Sequence, residues 1–238
     1  MIEINCQNYL NTYLNKQVIY KHKENCKNLM LILETRLSLS LILVIKNALY
    51  KMPNFNFMII STKNTINFLE KIFGELPYKI EINKSKINLD EYSKILLDQS
   101  IWRKIKEERV LIFQSDSIVL RNIQDLEFPK LSMLGPVCVN LDDKEKFVMN
   151  GGFSFRNKDL MMELCTNKPI TSNIEDIFYS EQIRKYYPEL MPSIDECNDF
   201  AIESIGNKLK AKGIHGTDKY YRTYEGYKEI FDTLEISN

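Results

Sequence analysis

The sequence lacks the features that mark several large functional classes. Its 32 basic and 32 acidic residues cancel, so it has no excess positive charge to attract nucleic acids or anionic membranes. It also contains no G-x-S-x-G nucleophile elbow, no Walker phosphate loop and no G-x-G-x-x-G fingerprint. These absences argue against a nucleic-acid partner, a nucleophile-elbow hydrolase and the common phosphate-binding loops.

Cysteine pairs and long apolar runs are missing as well. The five cysteines are scattered, with no C-x-x-C pair and no cluster with histidine that would indicate zinc, so we expect reduced thiols. The most apolar segment, residues 29–45, is interrupted by Glu34 and Arg36 and is not expected to span a membrane. The polar amino terminus does not resemble a signal peptide. We therefore expect a cytoplasmic protein.

The 238 residues alternate short apolar runs with amphipathic segments, as one α/β domain does. Strands are predicted at residues 28–33 and 56–60, and helices at 38–52 and after a Ser61-Thr62 cap. Further along we predict an edge strand at 78–82, a helix from Asn88 to 105, a strand at 130–139 and helices at 159–165 and 173–183. Residues 1–27 form a poorly defined lead-in and 218–238 a C-terminal helix. This pattern predicts a mostly parallel sheet flanked by helices.

The chain is organised around residues 109–122. Apolar residues 110–113 predict a buried strand, and Gln114, Ser115, Asp116 and Ser117 follow at its carboxyl end, where parallel sheets bind ligands. A carboxylate between small hydroxyls suits a hard divalent cation. It equally suits a turn residue that bonds its own backbone. Asp116 is therefore the first residue to test.

Three other places have both a structural and a chemical interpretation. Asn150-Gly151-Gly152 interrupts a strand pattern, which indicates a bulge or the close approach of another group. The pair Glu175-Asp176 begins a predicted helix, where acids stabilise the helix end. His215 lies between glycines, which is typical of a surface turn but also of a mobile metal or diphosphate ligand.

Five short motifs in order resemble a family of glycosyltransferase-like domains of unknown function from bacteria, fungi and large DNA viruses, domain-of-unknown-function family 5672. They are E-T-R at 34–36, L-I-F-Q-S-D-S-I-V-L-R at 111–121, M-N-G-G-F-S-F-R-N-K at 149–158, E-D-I-F-Y-S at 175–180 and G-I-H-G-T at 213–217. The resemblance covers roughly residues 28–220. It implies a GT-A fold, a Rossmann-like α/β sandwich that binds a nucleotide-sugar donor at the strand ends.

The resemblance also implies roles for single residues. Gln114, Ser115 and Asp116, followed by Ser117, would occupy the place of the D-x-D motif, with Asp116 and His215 holding Mn²⁺ or Mg²⁺ against the donor diphosphate. The sequence departs from that motif because Gln114 replaces its first acid.

Around this metal position the resemblance places the rest of the donor site. It implies that Thr35 and Arg36 lie near the nucleotide and that Asn150, Gly151 and Gly152 form the floor under the donor sugar. Glu175 and Asp176 match the acidic pair that supplies the base in inverting enzymes, and Asp176 is the preferred base.

We therefore expect a nucleotide-sugar-dependent glycosyltransferase, a hexosyltransferase, whose acceptor and oligomeric state the sequence does not name. The alternative is a non-catalytic carbohydrate- or nucleotide-binding module, which the neutral Gln114 favours. A nucleotidyltransferase is a weaker alternative, because the sequence has no glycine-rich, basic first loop to hold a triphosphate.

Overall fold

The computed structural model describes residues 4–123, 132–140, 143–203, 205–217 and 230–231. The predicted C-terminal helix over 218–238 therefore lies outside the described residues, apart from helical residues 230 and 231. The lead-in contains one described helix, and none of the described helices is long and apolar enough to cross a membrane.

The described residues form eight α-helices, a short 3₁₀ turn at Pro188–Leu190 and eleven strands. The helices are α1 Ile4–Asn11, α2 Leu39–Lys51, α3 Lys63–Phe73, α4 Leu89–Leu97, α5 Gln99–Lys104, α6 Lys158–Asn167, α7 Glu175–Tyr186 and α8 Ile194–Phe200. The strands are β1 Asn28–Leu33, β2 Asn56–Ser61, β3 Tyr78–Glu81, β4 Arg109–Phe113, β5 Ile118–Val119, β6 Met133–Leu134, β7 Val137–Asn140, β8 Asp143–Met149, β9 Phe153–Asn157, β10 Ala201–Ile202 and β11 Gly213–Ile214.

A six-stranded sheet in the order β3-β2-β1-β4-β9-β6 forms the centre of the molecule. The first four strands are parallel, and β9 runs antiparallel to both β4 and β6. Almost every residue of β1, β2 and β4 is buried, as expected for apolar strands covered on both faces. The predicted α/β class with a mostly parallel sheet is confirmed, and β3 lies at the edge as predicted.

Helix boundaries follow from local capping. The Thr62 hydroxyl accepts the Thr65 amide at the start of α3, and Gly74, with φ of 88°, ends it in the left-handed region that favours glycine. The single helix predicted from Asn88 to residue 105 is wrong in one respect. It divides at Asp98, which has extended backbone and caps α5 by accepting the Ser100 amide at 2.8 Å.

Two small sheets complete the carboxyl side of the central sheet. In one, β11 pairs parallel with β10 and antiparallel with β5, the strand that follows β4 in the sequence. In the other, β7 pairs with β8. Residues 150–152 do not bulge within one strand, because they form the turn that joins β8 to β9. These additions bring the ends of β4, β8, β10 and β11 toward each other.

Candidate active site

The turn after β4 carries the central polar residues. It is closed by hydrogen bonds from the Ser117 amide to the Gln114 carbonyl (3.0 Å) and from the Gln114 amide to the Ser117 hydroxyl (3.1 Å). The Ser117 hydroxyl is buried and donates to the Gly152 carbonyl at 3.0 Å. Ser117 therefore shapes the turn, whereas Asp116, with 13% of its side chain exposed, lines an open cleft.

His215 reaches the same turn from far along the chain. Its Nε2 atom lies 3.1 Å from Oε1 of Gln114 and 3.6 Å from Oδ1 of Asp116. The Thr217 amide and hydroxyl both donate to the Asp116 carbonyl, at 3.1 and 3.0 Å. Gly216, between His215 and Thr217, has φ of 71°, which lets the chain turn back onto the site. We call Gln114, Asp116 and His215 the Asp116 cluster.

The Asp116 cluster fits a divalent cation in chemistry and spacing. It offers a carboxylate oxygen, an amide oxygen and an imidazole nitrogen, and ligands adjacent around Mg²⁺ lie about 3 Å apart. Among the described residues, no group of three His, Cys, Asp or Glu side chains could hold a metal ion. A three-ligand set at this turn therefore includes Gln114, whose neutral side chain offers an oxygen atom but no charge.

The two glycines after β8 make room for protein side chains. A Cβ atom on Gly152 would lie 2.0 Å from Nε2 of His215, and one on Gly151 would lie 2.0 Å from Oε1 of Glu175. The Asn150 side chain accepts the Gly152 amide at 2.8 Å and so fixes the turn. Side chains therefore approach both glycines closely, which is one of the two outcomes that the pattern predicted, whereas the resemblance placed a donor sugar there.

Glu175 and Asp176 are adjacent but occupy different environments. Both Glu175 oxygens accept hydrogen bonds from Arg156, at 2.7 and 3.1 Å, and both side chains are buried. Arg156 also donates to the Ser154 hydroxyl and to the Gly151 carbonyl. Asp176 is only partly buried, and its Oδ2 accepts the Gly151 amide at 3.3 Å. The Arg156–Glu175 pair, called the buried ion pair below, is thus structural.

Arg36 and Thr35, predicted near the nucleotide, lie in different places. Arg36 lines the cleft and binds both oxygens of Glu34. Thr35 lies instead beside the start of α3, and its buried hydroxyl has no hydrogen-bond partner among the described residues. Glu34 also accepts the Ser115 hydroxyl at 3.0 Å. Burial tends to raise the pKa of Glu34, but Arg36 and Ser115 outweigh it and lower that pKa.

The cleft runs along the carboxyl ends of β1 and β4 and is bounded by the start of α4. Its lining residues are Leu33, Glu34, Arg36, Ile87, Asn88, Leu89, Tyr92, Gln114, Ser115 and Asp116. The Tyr92 hydroxyl is buried without a hydrogen bond of normal geometry to any described residue, and burial raises the pKa of Tyr92. The cleft therefore combines apolar walls with polar groups at one end, as ligand sites do.

Sequence reasoning missed three residues of this region. The apolar spacing of the predicted helix includes Tyr92 only as a packing position, but its side chain lines the cleft. Arg156 interrupts a buried strand pattern, and that signal could have suggested a buried partner. Glu203, which is 2% exposed beside His215, had no sequence signal, because it follows a very short strand without a motif.

Comparisons with known proteins agree with this fold. The model of the family described as Protein of unknown function (DUF5672) matches residues 79–215, whereas no curated protein matches the sequence. The chain is similar to the apo-form glycosyltransferase GlyE of Streptococcus pneumoniae TIGR4, at a TM-score of 0.52 and 11% identity, over 88% of this chain and 60% of that chain.

Two further solved structures are similar. Mouse xyloside xylosyltransferase 1 in its apo form has a TM-score of 0.51 and 11% identity, over 79% of this chain and 96% of that chain. A mannosyltransferase, PcManGT from Pyrobaculum calidifontis in complex with GDP-Man and Mn²⁺, has a TM-score of 0.46 and 12% identity, over 75% and 59%. The chain thus spans about three fifths of GlyE and of PcManGT. The likeness to GlyE and the mouse enzyme shows the GT-A type of fold.

Proposed function

The chain belongs to the DUF5672 family, and we propose that it is a glycosyltransferase that moves a sugar, a hexosyl group, from a nucleotide-sugar donor to an acceptor hydroxyl with the help of Mn²⁺ or Mg²⁺. The observation that carries this proposal is the convergence of the Asp116 cluster at the carboxyl end of β4, beside the cleft. The GT-A fold is consistent with it.

The chemistry of donor cleavage calls for such a cluster. When the bond between the anomeric carbon and the diphosphate breaks, negative charge develops on the leaving diphosphate. A cation held by the Asp116 cluster would stabilise that charge. Arg36, at the same cleft, adds a positive charge that can contact the nucleotide phosphates, and the apolar walls Leu33, Ile87 and Leu89 suit the nucleoside.

We assign the general base to Asp176. We do not assign it to Glu175, because both oxygens of that side chain accept hydrogen bonds from Arg156 away from solvent. Asp176 keeps a partly exposed carboxylate at the turn that also contacts His215. As the acceptor oxygen bonds to the anomeric carbon, its proton passes to Asp176 and the diphosphate leaves. Attack assisted in this way inverts the configuration of the sugar.

The decisive experiment measures release of nucleoside diphosphate from a panel of nucleotide hexoses with Mn²⁺ or Mg²⁺, with and without simple acceptors. We expect turnover with at least one donor. Asp116→Asn should lower it about 100-fold or more, as the loss of one transition-state contact does in other enzymes. Asp159→Asn is the matched control, since Asp159 is 73% exposed on α6.

Equal turnover by the wild type and Asp116→Asn would contradict the assignment. Binding of nucleotides without release from any donor would support the second candidate, a carbohydrate- or nucleotide-binding module of the same fold. The neutral Gln114 favours that candidate, because it leaves Asp116 as the one carboxylate of the cluster.

A further inference from the structure

Glu203 is a buried carboxylate directly behind the Asp116 cluster. It follows β10, and the parallel register of β10 with β11 pairs Ile202 with Ile214, so Glu203 and His215 are neighbours at the strand ends. The His215 amide donates to the Ile202 carbonyl at 2.8 Å, which holds this register. Glu203 and His215 are each 2% exposed. The contact between them is therefore shielded from water.

Polar groups from three elements surround the Glu203 carboxylate. Nδ1 of His215 lies 3.2 Å from Oε1, and Nδ2 of Asn150 lies 3.4 Å from the same oxygen. The Cys138 thiol donates to Oε2 at 3.4 Å. Asn150, predicted to lie under a donor sugar, thus contacts Glu203 through one end of its amide and the Gly152 backbone through the other.

The two ring nitrogens of His215 face opposite chemical environments. Nδ1 faces Glu203 without forming a hydrogen bond of normal geometry to any described residue. A lone pair on Nδ1 would lie 3.2 Å from the buried Glu203 carboxylate and would be repelled by it. A proton on Nδ1 removes that repulsion, whereas the 3.1 Å contact of Nε2 with Gln114 is compatible with either tautomer. A neutral imidazole then has its free lone pair on Nε2, which faces Gln114 and Asp116. Three electron-pair donors so arranged attract a cation.

We propose that Glu203 is a positioning residue that keeps the proton on Nδ1 of His215 and thereby presents Nε2 to the divalent cation of the Asp116 cluster. This inference rests on the proposed function, because it needs a cation at that cluster. Partners of this kind change metal affinity about 10- to 100-fold when they are replaced. A carboxylate that only filled space would not influence which ring nitrogen carries the proton.

The first test reads the proton directly in metal-free, folded wild-type protein. The sequence has two histidines, so protein labelled with ¹⁵N-histidine gives two imidazole spin systems, and a His22→Gln variant assigns the exposed one. We expect His215 to carry a proton on Nδ1. A His215 ring protonated on Nε2 alone would overturn the proposal, whatever the variants do.

The second test measures Mn²⁺ binding, by electron paramagnetic resonance of the free ion, for the wild type, Glu203→Gln and Glu107→Gln. Glu107 is the matched control because it is also 2% exposed and accepts an amide hydrogen, from Asn56, in another part of the fold. We expect Glu203→Gln to bind Mn²⁺ at least 10-fold more weakly and Glu107→Gln to match the wild type. Equal binding by Glu203→Gln would overturn this proposal alone, whereas a wild type that binds no Mn²⁺ would overturn the metal site as well.

Discussion

Two polar regions pack against the 150–152 turn, and they differ in the charges they combine and in their access to the cleft. In the buried ion pair, opposite charges meet through two hydrogen bonds, and both side chains are almost fully shielded from water. In the Asp116 cluster, two oxygen-bearing side chains and an imidazole nitrogen converge, and Asp116 lines the cleft. Each glycine of the turn packs against one of the two regions.

The difference separates charges that serve the fold from those available to a ligand. A buried pair that is fully matched has nothing left with which to bind another molecule. Oxygen and nitrogen atoms that converge beside a cleft have the geometry to bind a cation. Acidic residues next to each other in the sequence, such as Glu175 and Asp176, therefore need not share a role.

The largest expected effect is on catalysis, from Asp176→Asn. General-base assistance contributes about 10²- to 10⁴-fold, so transfer to the acceptor should fall by that range. The free energy of unfolding should change by less than about 1 kcal/mol, because Asp176 is only partly buried. Acceptor-dependent turnover and urea unfolding measure the two quantities. Normal turnover by Asp176→Asn would contradict the assignment of Asp176 as the general base. A reaction that retains the configuration of the sugar would then be possible.

Glu175→Ala should act on stability instead. It leaves the Arg156 charge buried without its partner, which lowers the free energy of unfolding by about 3–5 kcal/mol. Glu108→Ala is the control, since Glu108 is 59% exposed in a surface pair with Lys27 and should change stability by less than about 0.5 kcal/mol. Urea unfolding compares them. Equal stability of the two variants would contradict the structural role of the buried ion pair.

Substitutions at Gly151 and Gly152 should have smaller effects, and each should perturb only one of the two polar regions. Gly151→Ala forces a methyl group against the buried ion pair, and overpacking of this kind destabilises by about 1–3 kcal/mol. Gly152→Ala forces its methyl group against the His215 ring. We therefore expect weaker Mn²⁺ binding in addition to a loss of stability of about 1–3 kcal/mol. Each variant is the control for the other. If both changed Mn²⁺ binding equally, the two regions would not be separate.

The smallest expected effect concerns a second Arg–Glu pair, Arg36 and Glu34, in which the arginine side chain is exposed to solvent. The pKa of Glu34 is lowered in the fold, so its ionised form adds stability above the unfolded pKa, and this is lost as the pH falls through the folded pKa. Arg36 is 64% exposed, which limits the contribution to about 1 kcal/mol. Urea unfolding of the wild type and Glu34→Gln should differ at neutral pH and converge once the pH has fallen below the folded pKa of Glu34. A constant difference would show that the charge is not responsible.

Much of the fold could be predicted from local patterns. Strands β1 and β2 are continuous apolar runs, and α3 has a cap and a terminating glycine in its own sequence. The split at Asp98 was missed because apolar spacing continues across it and only the cap interrupts the helix. The paired glycines predicted a bulge or a close approach; the close approach is found, but the side chains that make it come from distant parts of the sequence.

The site was predictable only where a residue type carries its own chemistry. Asp116 and His215 were expected at one cation, and the structure brings them within 3.6 Å, while their roles stay predictions. The resemblance placed Thr35 and Arg36 together near the nucleotide, but only Arg36 lines the cleft and Thr35 lies beside the start of α3. Glu203 could not be found, because its proximity to His215 arises from strand pairing.

The antiparallel ladder between β5 and β11 has a consequence for how the protein is made. It pairs Ile118 with Ile214, so the geometry at Asp116 and His215 depends on one register between segments almost a hundred residues apart. A slip by a single residue would turn His215 to the opposite face. Contacts of such long range form slowly. During synthesis, the central strands β1 to β4 can therefore pair well before the Asp116 cluster assembles. That cluster is complete only once residue 217 has left the ribosome.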